Sequence, residues 1–376
     1  MDTPKLTIGI EEEYLLVDLD TRDLVREVPK GLMEECEAVI SGQVSPEFLQ
    51  CQIEIGTRVC NSLQGARKEL VHLRSCISKI AKKHNLAPIA ASTHPFADWI
   101  DQKLSNKARY HSLANDLQSV SHRMLICGMH VHVGIEDPEL RIDVANQMPY
   151  FLPHFLALSC SSPFWVGRDT GLASYRLTIF DNLPRTGLPP VFASWGEYER
   201  TISTLIDNKL VEDATKIWWD LRPSHRYPTL EMRICDVPTR LDDTIAIAAL
   251  YVCMVSLLIR LRRDNLSWRR YERFLINENR WRAQRYGVSN GLIDFGRDQV
   301  IDYGVLLDEL IELVMPDAEA FDCVAEIQSA RDILVRGNSA TRQRAIFEQS
   351  LKQGNSTSDA LKQVVDFLIE DTITGI

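Results

Sequence analysis

Glu11, Glu12 and Glu13 follow one another inside "LTIGIEEEYLLVD" (residues 6–18). In an extended strand successive side chains point to opposite faces, so the triplet divides. Leu6, Ile8, Ile10, Glu12, Tyr14 and Leu16 share one face; Thr7, Gly9, Glu11, Glu13 and Leu15 share the other. Taken alone, this is either a solvated strand face, common in antiparallel sheets, or a seat for something cationic. The pattern recurs. In "LQCQIEIGT" (49–57), Gln50, Gln52, Glu54 and Gly56 oppose Leu49, Cys51, Ile53 and Ile55. In "CGMHVHVG" (127–134), Gly128, His130, His132 and Gly134 oppose Cys127, Met129, Val131 and Val133. In "TLEMRIC" (229–235), Thr229, Glu231, Arg233 and Cys235 oppose Leu230, Met232 and Ile234.

If the four strands share one sheet, Glu11, Glu13, Glu54, His130, His132, Glu231 and Arg233 converge on one surface. Carboxylates crowded in this way repel one another and raise their own pKa values unless a cation neutralises them. Zinc prefers His- and Cys-rich tetrahedral sets. Four glutamates suit hard divalent ions, Mg²⁺ or Mn²⁺. Arginine on the same face supplies a fork matched to a phosphoryl group. Together these residues describe phosphoryl transfer from Mg-ATP. The usual nucleotide and covalent motifs are absent from the sequence: it has no GxxxxGK[ST], GxGxxG or GxSxG.

Positioning these groups requires a sheet backed by helices. "SLQGARKELVHLRSCISKIAKKHN" (62–85) carries Leu63, Leu70, Leu73, Ile77 and Ile80 on one face and predicts an amphipathic helix with a basic last turn. "LAPIAAS" (86–92) predicts a short buried strand, and a helix is expected around 107–123. Residues 138–160 read as helix broken by Pro149 and Pro153. The stretch 176–197, rich in Pro, Gly and apolar residues, reads as an ordered active-site loop. From Asp242 onward helices are expected in succession, punctuated by Pro316, Gly337-Asn338 and Gly354-Asn355.

The 376 residues carry a net charge of −10, which disfavours nucleic acid or an anionic membrane as the main partner. Nine scattered cysteines without a CxxC pair suggest reduced thiols. The N-terminus shows no basic leader segment. The apolar run Ile245 to Ile259 falls short of the ~20 residues that span a bilayer and reads as a buried helix. A cytoplasmic protein is expected.

Six segments, "GIEEEY", "QIEIGT", "GMHVHVG", "SPFWVGRDTGLASYR", "YPTLEMRICD" and "NRWRAQRYG", resemble in order and spacing the type 2 glutamate–cysteine ligases. These are also called the carboxylate–amine ligase family, whose catalytic region is similar to glutamine synthetase. The resemblance spans about residues 6–290, with a helical continuation. It implies an α+β fold: a curved, mainly antiparallel sheet funnel with helices on its convex side and a helical C-terminal third. One catalytic domain is expected over 1–376, with a sheet-containing core (6–240) and a packed helical region (241–376).

The resemblance also implies roles. Glu11, Glu13, Glu54, His130 and Glu231 match ligands of two or three Mg²⁺ ions around the ATP phosphates, with Glu54 and Arg233 the catalytic pair. Glu47 is either a further metal-associated carboxylate or an exposed residue after Pro46. Arg233 matches an arginine that stabilises the phosphoryl group in flight, and Arg176 a clamp for a substrate α-carboxylate. His132 is a substrate contact or a metal ligand. Arg168 contacts substrate or pairs with Asp169, and Arg185 on the Pro/Gly loop reaches ligand. Arg282 and Arg285 either approach phosphate or are solvated on a helix face. Tyr14, Phe164, Trp165, Trp218 and Trp219 read as packing residues. Glu12 is expected to pair with a basic helix residue behind the sheet, or to lie at an edge or subunit contact.

The implied reaction joins the γ-carboxylate of glutamate to an amine such as cysteine through an acyl phosphate, with ATP and Mg²⁺ (or Mn²⁺). A homodimer is expected. The alternative class is a metal-dependent hydrolase, or a Mg-nucleotide-binding protein without ligase turnover.

Overall fold

The computed structural model describes residues 5–224 and 226–376, and leaves out the side chain of His122. Residues 1–4, part of the N-terminal stretch read above as leaderless, lie outside the described residues.

Seven strands form the main sheet: β1 (Ile8–Asp18), β2 (Val44–Pro46), β3 (Gln52–Gly56), β4 (Leu86–Ile89), β5 (Met129–Gly134), β6 (Leu221–Pro223) and β7 (Thr229–Met232). Their order is β6-β7-β5-β1-β3-β2, with β4 paired to the far half of β1. Every ladder in this sheet is antiparallel. The four strands singled out by their alternation are therefore contiguous, β7-β5-β1-β3, as expected.

The register fixes what faces what. Glu11 stands opposite Gly56 on one side and His130 on the other. Glu13 faces Glu54, Gly9 faces His132, and His132 faces Glu231. The opposite face of β1 is apolar and closed: Ile8, Ile10, Tyr14 and Leu16 are buried, as is Glu12.

Helices cover that closed face. Helix α1 (Leu63–Lys83) starts where the Ser62 hydroxyl accepts the Gly65 amide at 3.0 Å. It buries Leu63, Ala66, Leu70, Leu73, Ile77 and Ile80 and ends on Lys82 and Lys83, which complement its C-terminal dipole. Helix α2 (Leu241–Arg263) has acidic residues in its first turn and arginines in its last. At 23 residues it is long and apolar enough to cross a membrane, more than the 245–259 run suggested. Here it is packed against α1 and β5, buried from Thr244 to Ile259.

The C-terminal part continues through α3 (Arg273–Tyr286), α4 (Tyr303–Ala320), α5 (Val324–Arg336), α6 (Ser339–Lys352) and α7 (Thr357–Thr372). Two expectations are corrected here. Residues Leu292–Asp294 and Gln299–Ile301 form an antiparallel hairpin rather than helix. Pro316 does not end a helix, because α4 runs through it. Its apolar stripe continues on both sides, with Leu310, Ile311, Val314 and Ala318 buried, and that packing outweighs the missing hydrogen bond. Upstream, the helix expected near 107–123 runs Ala108–Leu117 and tightens into a 3₁₀ turn, Gln118–Arg123. The 138–160 helix divides at the expected prolines.

One continuous hydrophobic cluster includes Ile10 of β1, Leu73 of α1, Val252 of α2 and Leu368 of α7. A smaller cluster, among it Ile142, Phe192, Tyr198, Ile202 and Trp219, supports the loop region. All nine cysteines are free, and only Cys76 is more than slightly exposed.

Candidate active site

The polar face of β7-β5-β1-β3 forms the floor of a cavity of about 430 Å³. Glu11, Glu13, Glu47, Glu54, His130, His132, Arg176, Glu231 and Arg233 all line it. The carboxylates belong to the floor. Lys107, Arg109, Lys216 and Arg226, on the segments around it, bring positive charge to the same space.

Ligand-capable atoms fall into three sets, each within 4.8 Å: Glu11, Glu54 and His130; Glu11, His132 and Glu231; Glu13, Glu47 and Glu54. The imidazole Nδ1 of His130 lies 3.2 Å from Glu11, and Nε2 of His132 lies 3.4 Å from the other Glu11 oxygen. Glu13 accepts the Gly128 amide at 2.6 Å, and Glu54 accepts the Ser45 hydroxyl at 3.2 Å.

The electrostatics are unbalanced in a way that a cation would resolve. Burial and the neighbouring Glu13 push Glu47 up to about 7. Burial, then Glu47, Glu11 and Glu13, hold Glu54 well above the carboxylate range. Burial also works to raise Glu11, but the His130 hydrogen bond and the His132 imidazole close beside it prevail and hold it well below the usual carboxylate range. For Glu231 burial is likewise outweighed, here by Arg233 and Arg222, so it stays anionic. Burial and Arg233 together lower His130 and favour its neutral, ligating form. The buried Nε2 of His132 has no hydrogen-bond partner among the described residues. Burial works to lower His132, but Glu231 and Glu11 prevail and raise it. An oxygen-rich set with a neutral His130 imidazole fits hard divalent cations.

Two arginines are held with a free edge. Arg233 donates Nη1 to Glu231, while its buried Nε has no hydrogen-bond partner among the described residues. Arg176 is 2% exposed, its Nη atoms 3.2 Å from the Ile234 and Arg233 carbonyls, and its Nε also has no hydrogen-bond partner among the described residues. Gly128 makes that position reachable: a Cβ there would stand 2.4 Å from Arg176 Nη2. Gly134 is required too, by Thr7 Oγ1 at 2.2 Å. Gly9 and Gly56 are not, since a Cβ at either makes only ordinary contacts.

Four expected ligand-binding residues are not brought to this cavity. Arg168 lies exposed on a two-residue hairpin strand, and Asp169 pairs with Arg344 at 2.7 Å instead of with Arg168. Arg282 donates to the carbonyls of Asn290 and Gly291. Arg285 donates to Gly171 and stacks 4.9 Å from the Tyr286 ring. Arg185 donates Nε to the Lys216 carbonyl at 2.9 Å and lines an adjoining cavity. The stretch 176–197, expected to be a loop, opens with a short helix, Arg176–Phe180, and runs into a second at Trp195; it reaches the site through Arg176 and Phe180 of the first. Trp218, read as packing, is part of the cavity wall.

The structure adds residues that the sequence reading did not select. Arg222 donates to Glu231 at 2.7 Å and, through Nη1, to the Ala214, Thr215 and Ile217 carbonyls. It thereby ties the 214–217 segment to the floor. Behind the sheet, Glu12 meets Arg74 of α1 at 2.6 Å, both side chains fully buried, which settles its pairing with a helix residue. Tyr14 and Thr244 also donate to Glu12, and Arg74 reaches the carbonyls of Thr239 and Thr372. A lone arginine within the Leu70–Leu73–Ile77 apolar stripe was the available signal.

The glutamate–cysteine ligase family 2 model matches residues 7–363. A Jannaschia sp. (strain CCS1) protein provisionally named glutamate–cysteine ligase 2 is 58% identical over 365 residues, covering 97% of this chain and 96% of that protein. A Rhodospirillum rubrum protein with the same provisional name is 55% identical over 380 residues, covering 100% and 98%. Among solved structures, the fold is similar to a Francisella tularensis glutamate–cysteine ligase in complex with AMP. The TM-score is 0.67 at 13% identity, over 98% of this chain and 89% of that one. It is also similar to a bifunctional glutathione synthetase from Pasteurella multocida, with TM-score 0.69 at 12% identity, over 98% and 52%.

Proposed function

The chain belongs to glutamate–cysteine ligase family 2 and is an ATP-dependent carboxylate–amine ligase; from that premise we propose that it joins the γ-carboxylate of L-glutamate to an amine such as L-cysteine. The observation that supports this most directly is the convergence of Glu11, Glu13, Glu54, His130 and Glu231 on one sheet face, beside Arg233.

Divalent cations, Mg²⁺ or Mn²⁺, held by these residues with Glu47 and His132 at the margin, would neutralise the β- and γ-phosphates of ATP. Arg176 grips the α-carboxylate of the acid substrate with its free edge, which leaves the γ-carboxylate to approach the phosphates. A γ-carboxylate oxygen attacks the γ-phosphorus, the bond to the β-phosphate oxygen breaks, and ADP leaves. Arg233 supports the negative charge on the phosphoryl oxygens during that transfer. The amine nitrogen then attacks the acyl carbon, loses a proton, and expels inorganic phosphate as the amide forms. The polypeptide supplies position and charge, with no covalent enzyme intermediate.

The assay is ATP-dependent phosphate release with glutamate and a panel of amino acids and amines. ADP and phosphate forming in step with an amide product, only when acid and amine are both present, is the expected outcome. Turnover of an amide substrate without ATP would refute it and favour the hydrolase. The enzyme is further proposed to act in the cytoplasm as a homodimer, in a glutathione-biosynthesis-like role, with 1–376 a single catalytic domain.

A further inference from the structure

Arg282 and Arg285 of "NRWRAQRYG" turn to backbone carbonyls, but the first arginine of that segment is placed differently. Arg280, on α3, is 7% exposed and is not among the residues lining the carboxylate cavity. Two carboxylates share its guanidinium. Nε and Nη2 donate to Asp220 at 2.7 and 3.1 Å; Nη1 and Nη2 donate to Asp181 at 2.7 and 2.8 Å. A planar guanidinium can serve two carboxylates at once in this way, and an ammonium cannot. Asp220 is 1% exposed, and this is its one ion pair among the described residues.

Each carboxylate belongs to a segment that carries a site arginine. Asp181 closes the short helix Arg176–Phe180, its amide donating to the Leu177 carbonyl at 2.9 Å. Asp220 directly precedes β6, and its carbonyl accepts the amides of Arg233 and Ile234 at 2.8 and 3.1 Å. Arg176 in turn donates to the Ile234 and Arg233 carbonyls. The contacts close a ring that runs from Arg176 through its helix to Asp181, Arg280, Asp220 and the Arg233–Ile234 turn. α3 grips the same helix again one turn further on, where Gln284 donates Nε2 to Thr178 Oγ1 at 2.8 Å.

The two sides of the ring are not equally secure. The Arg233 side is built into the sheet, because Met232 pairs with Leu221 and with Val131. The Arg176 side is a helix of five residues, too short to hold itself, followed by the Pro- and Gly-rich stretch. Its angle is set from outside.

We propose that Arg280 is a positioning residue of the ligase reaction, which holds the helix of Arg176 in place against the turn of Arg233. It thereby fixes the distance between the grip on the acid's α-carboxylate and the phosphoryl group that the γ-carboxylate attacks. The inference rests on the roles proposed above for Arg176 and Arg233. Attack of this kind tolerates little error: a displacement of about 1 Å can cost about a hundredfold in rate.

Steady-state kinetics on the full chain test this, with L-glutamate as the acid and the amine selected by the phosphate-release panel. Asp181 is exposed, so Asp181→Ala cuts the bridge on the helix side and should leave thermal melting close to that of the parent. The KM for the acid should rise about tenfold while the KM for ATP stays within about twofold. Arg280→Lys keeps the charge but reaches one carboxylate at a time, and should show the same split. The two changes together should cost no more than Arg280→Lys alone, since both cut one bridge. An unchanged acid KM, equal rises in both KM values, or additive losses in the double variant would each overturn the proposal. Arg176→Lys, assayed beside them, separates the two readings. A raised acid KM in Arg176→Lys, with none in the other variants, overturns the positioning role alone. An unchanged acid KM in all of them overturns the α-carboxylate grip itself, and this proposal with it.

Discussion

Glu12 and Glu54 carry the same functional group in adjacent strands, yet their surroundings dictate different consequences when it is removed. Glu54 is crowded by Glu47, Glu11 and Glu13, and burial together with these neighbours raises its pKa. Glu54→Gln relieves that repulsion, so the fold should persist by circular dichroism and thermal melting. Metal-dependent ATP turnover should fall at least a hundredfold, and full retained activity would remove Glu54 from the catalytic set. Arg233→Lys should cost a similar factor, because a point charge cannot span Glu231 and a phosphoryl oxygen as a guanidinium fork does. Glu12 is the reverse case. Its carboxylate is sealed with Arg74 at zero exposure, so Glu12→Gln leaves a buried guanidinium without its counter-charge. About 3 kcal/mol of stability should be lost, measured by urea unfolding, with kcat of the remaining folded enzyme within a few-fold of the parent. A large kcat defect with unchanged stability would contradict this separation.

At the level of elements, period-2 alternation was sufficient to sort the polar face of each of β7, β5, β1 and β3 from its packed face, while their union in one sheet is supplied by the ladders themselves. Such a reading works because a strand's side-chain direction is local. It does not extend to groups whose place depends on distant chain. Arg222 acquires meaning only when the 214–217 segment folds back on β7. Arg282 and Arg285 have the charge for phosphate but are drawn to carbonyls of Gly291 and Gly171. Glycine was partly legible. All four glycines lie on the polar faces, but only Gly128 and Gly134 are crowded by protein atoms. Gly128→Ala should therefore push Arg176 off its carbonyl seat. The KM for the acid substrate should rise about tenfold, with little change in the KM for ATP. Gly9→Ala, whose Cβ would meet His132 Cβ at 3.6 Å, is the matched control. Equal effects of the two substitutions would sink the assignment.

Across the whole molecule, stability should depend on pH through two histidines far from the carboxylate floor in sequence and chemistry. Burial lowers His94 to about 3 and His154 to about 4. His94 shows why it stays neutral: Nδ1 accepts the Phe96 and Ala97 amides, and Nε2 donates to the Arg22 carbonyl at 3.0 Å. A proton on Nδ1 would face two donors. The unfolded chain has no such constraint and protonates near pH ~6.5. Between that value and the folded pKa, the unfolded state binds more protons than the folded one, so stability falls as pH falls. Each histidine contributes a slope of about 1.4 kcal/mol per pH unit in that window and nothing above it. Raised carboxyls such as Asp236, Asp243 and Glu47 act in the opposite sense, because the folded protein takes up their protons first. The histidine contribution is therefore read as a difference between two proteins. His94→Gln, compared with the parent by urea unfolding at pH 7, 5.5 and 4.5, should be less stable at pH 7. The gap should close by about 1.4 kcal/mol for each unit below ~6.5. A gap that stays constant across that range would show that His94 is protonated equally in both states, and that its network with Arg22, Phe96 and Ala97 does not exclude the proton.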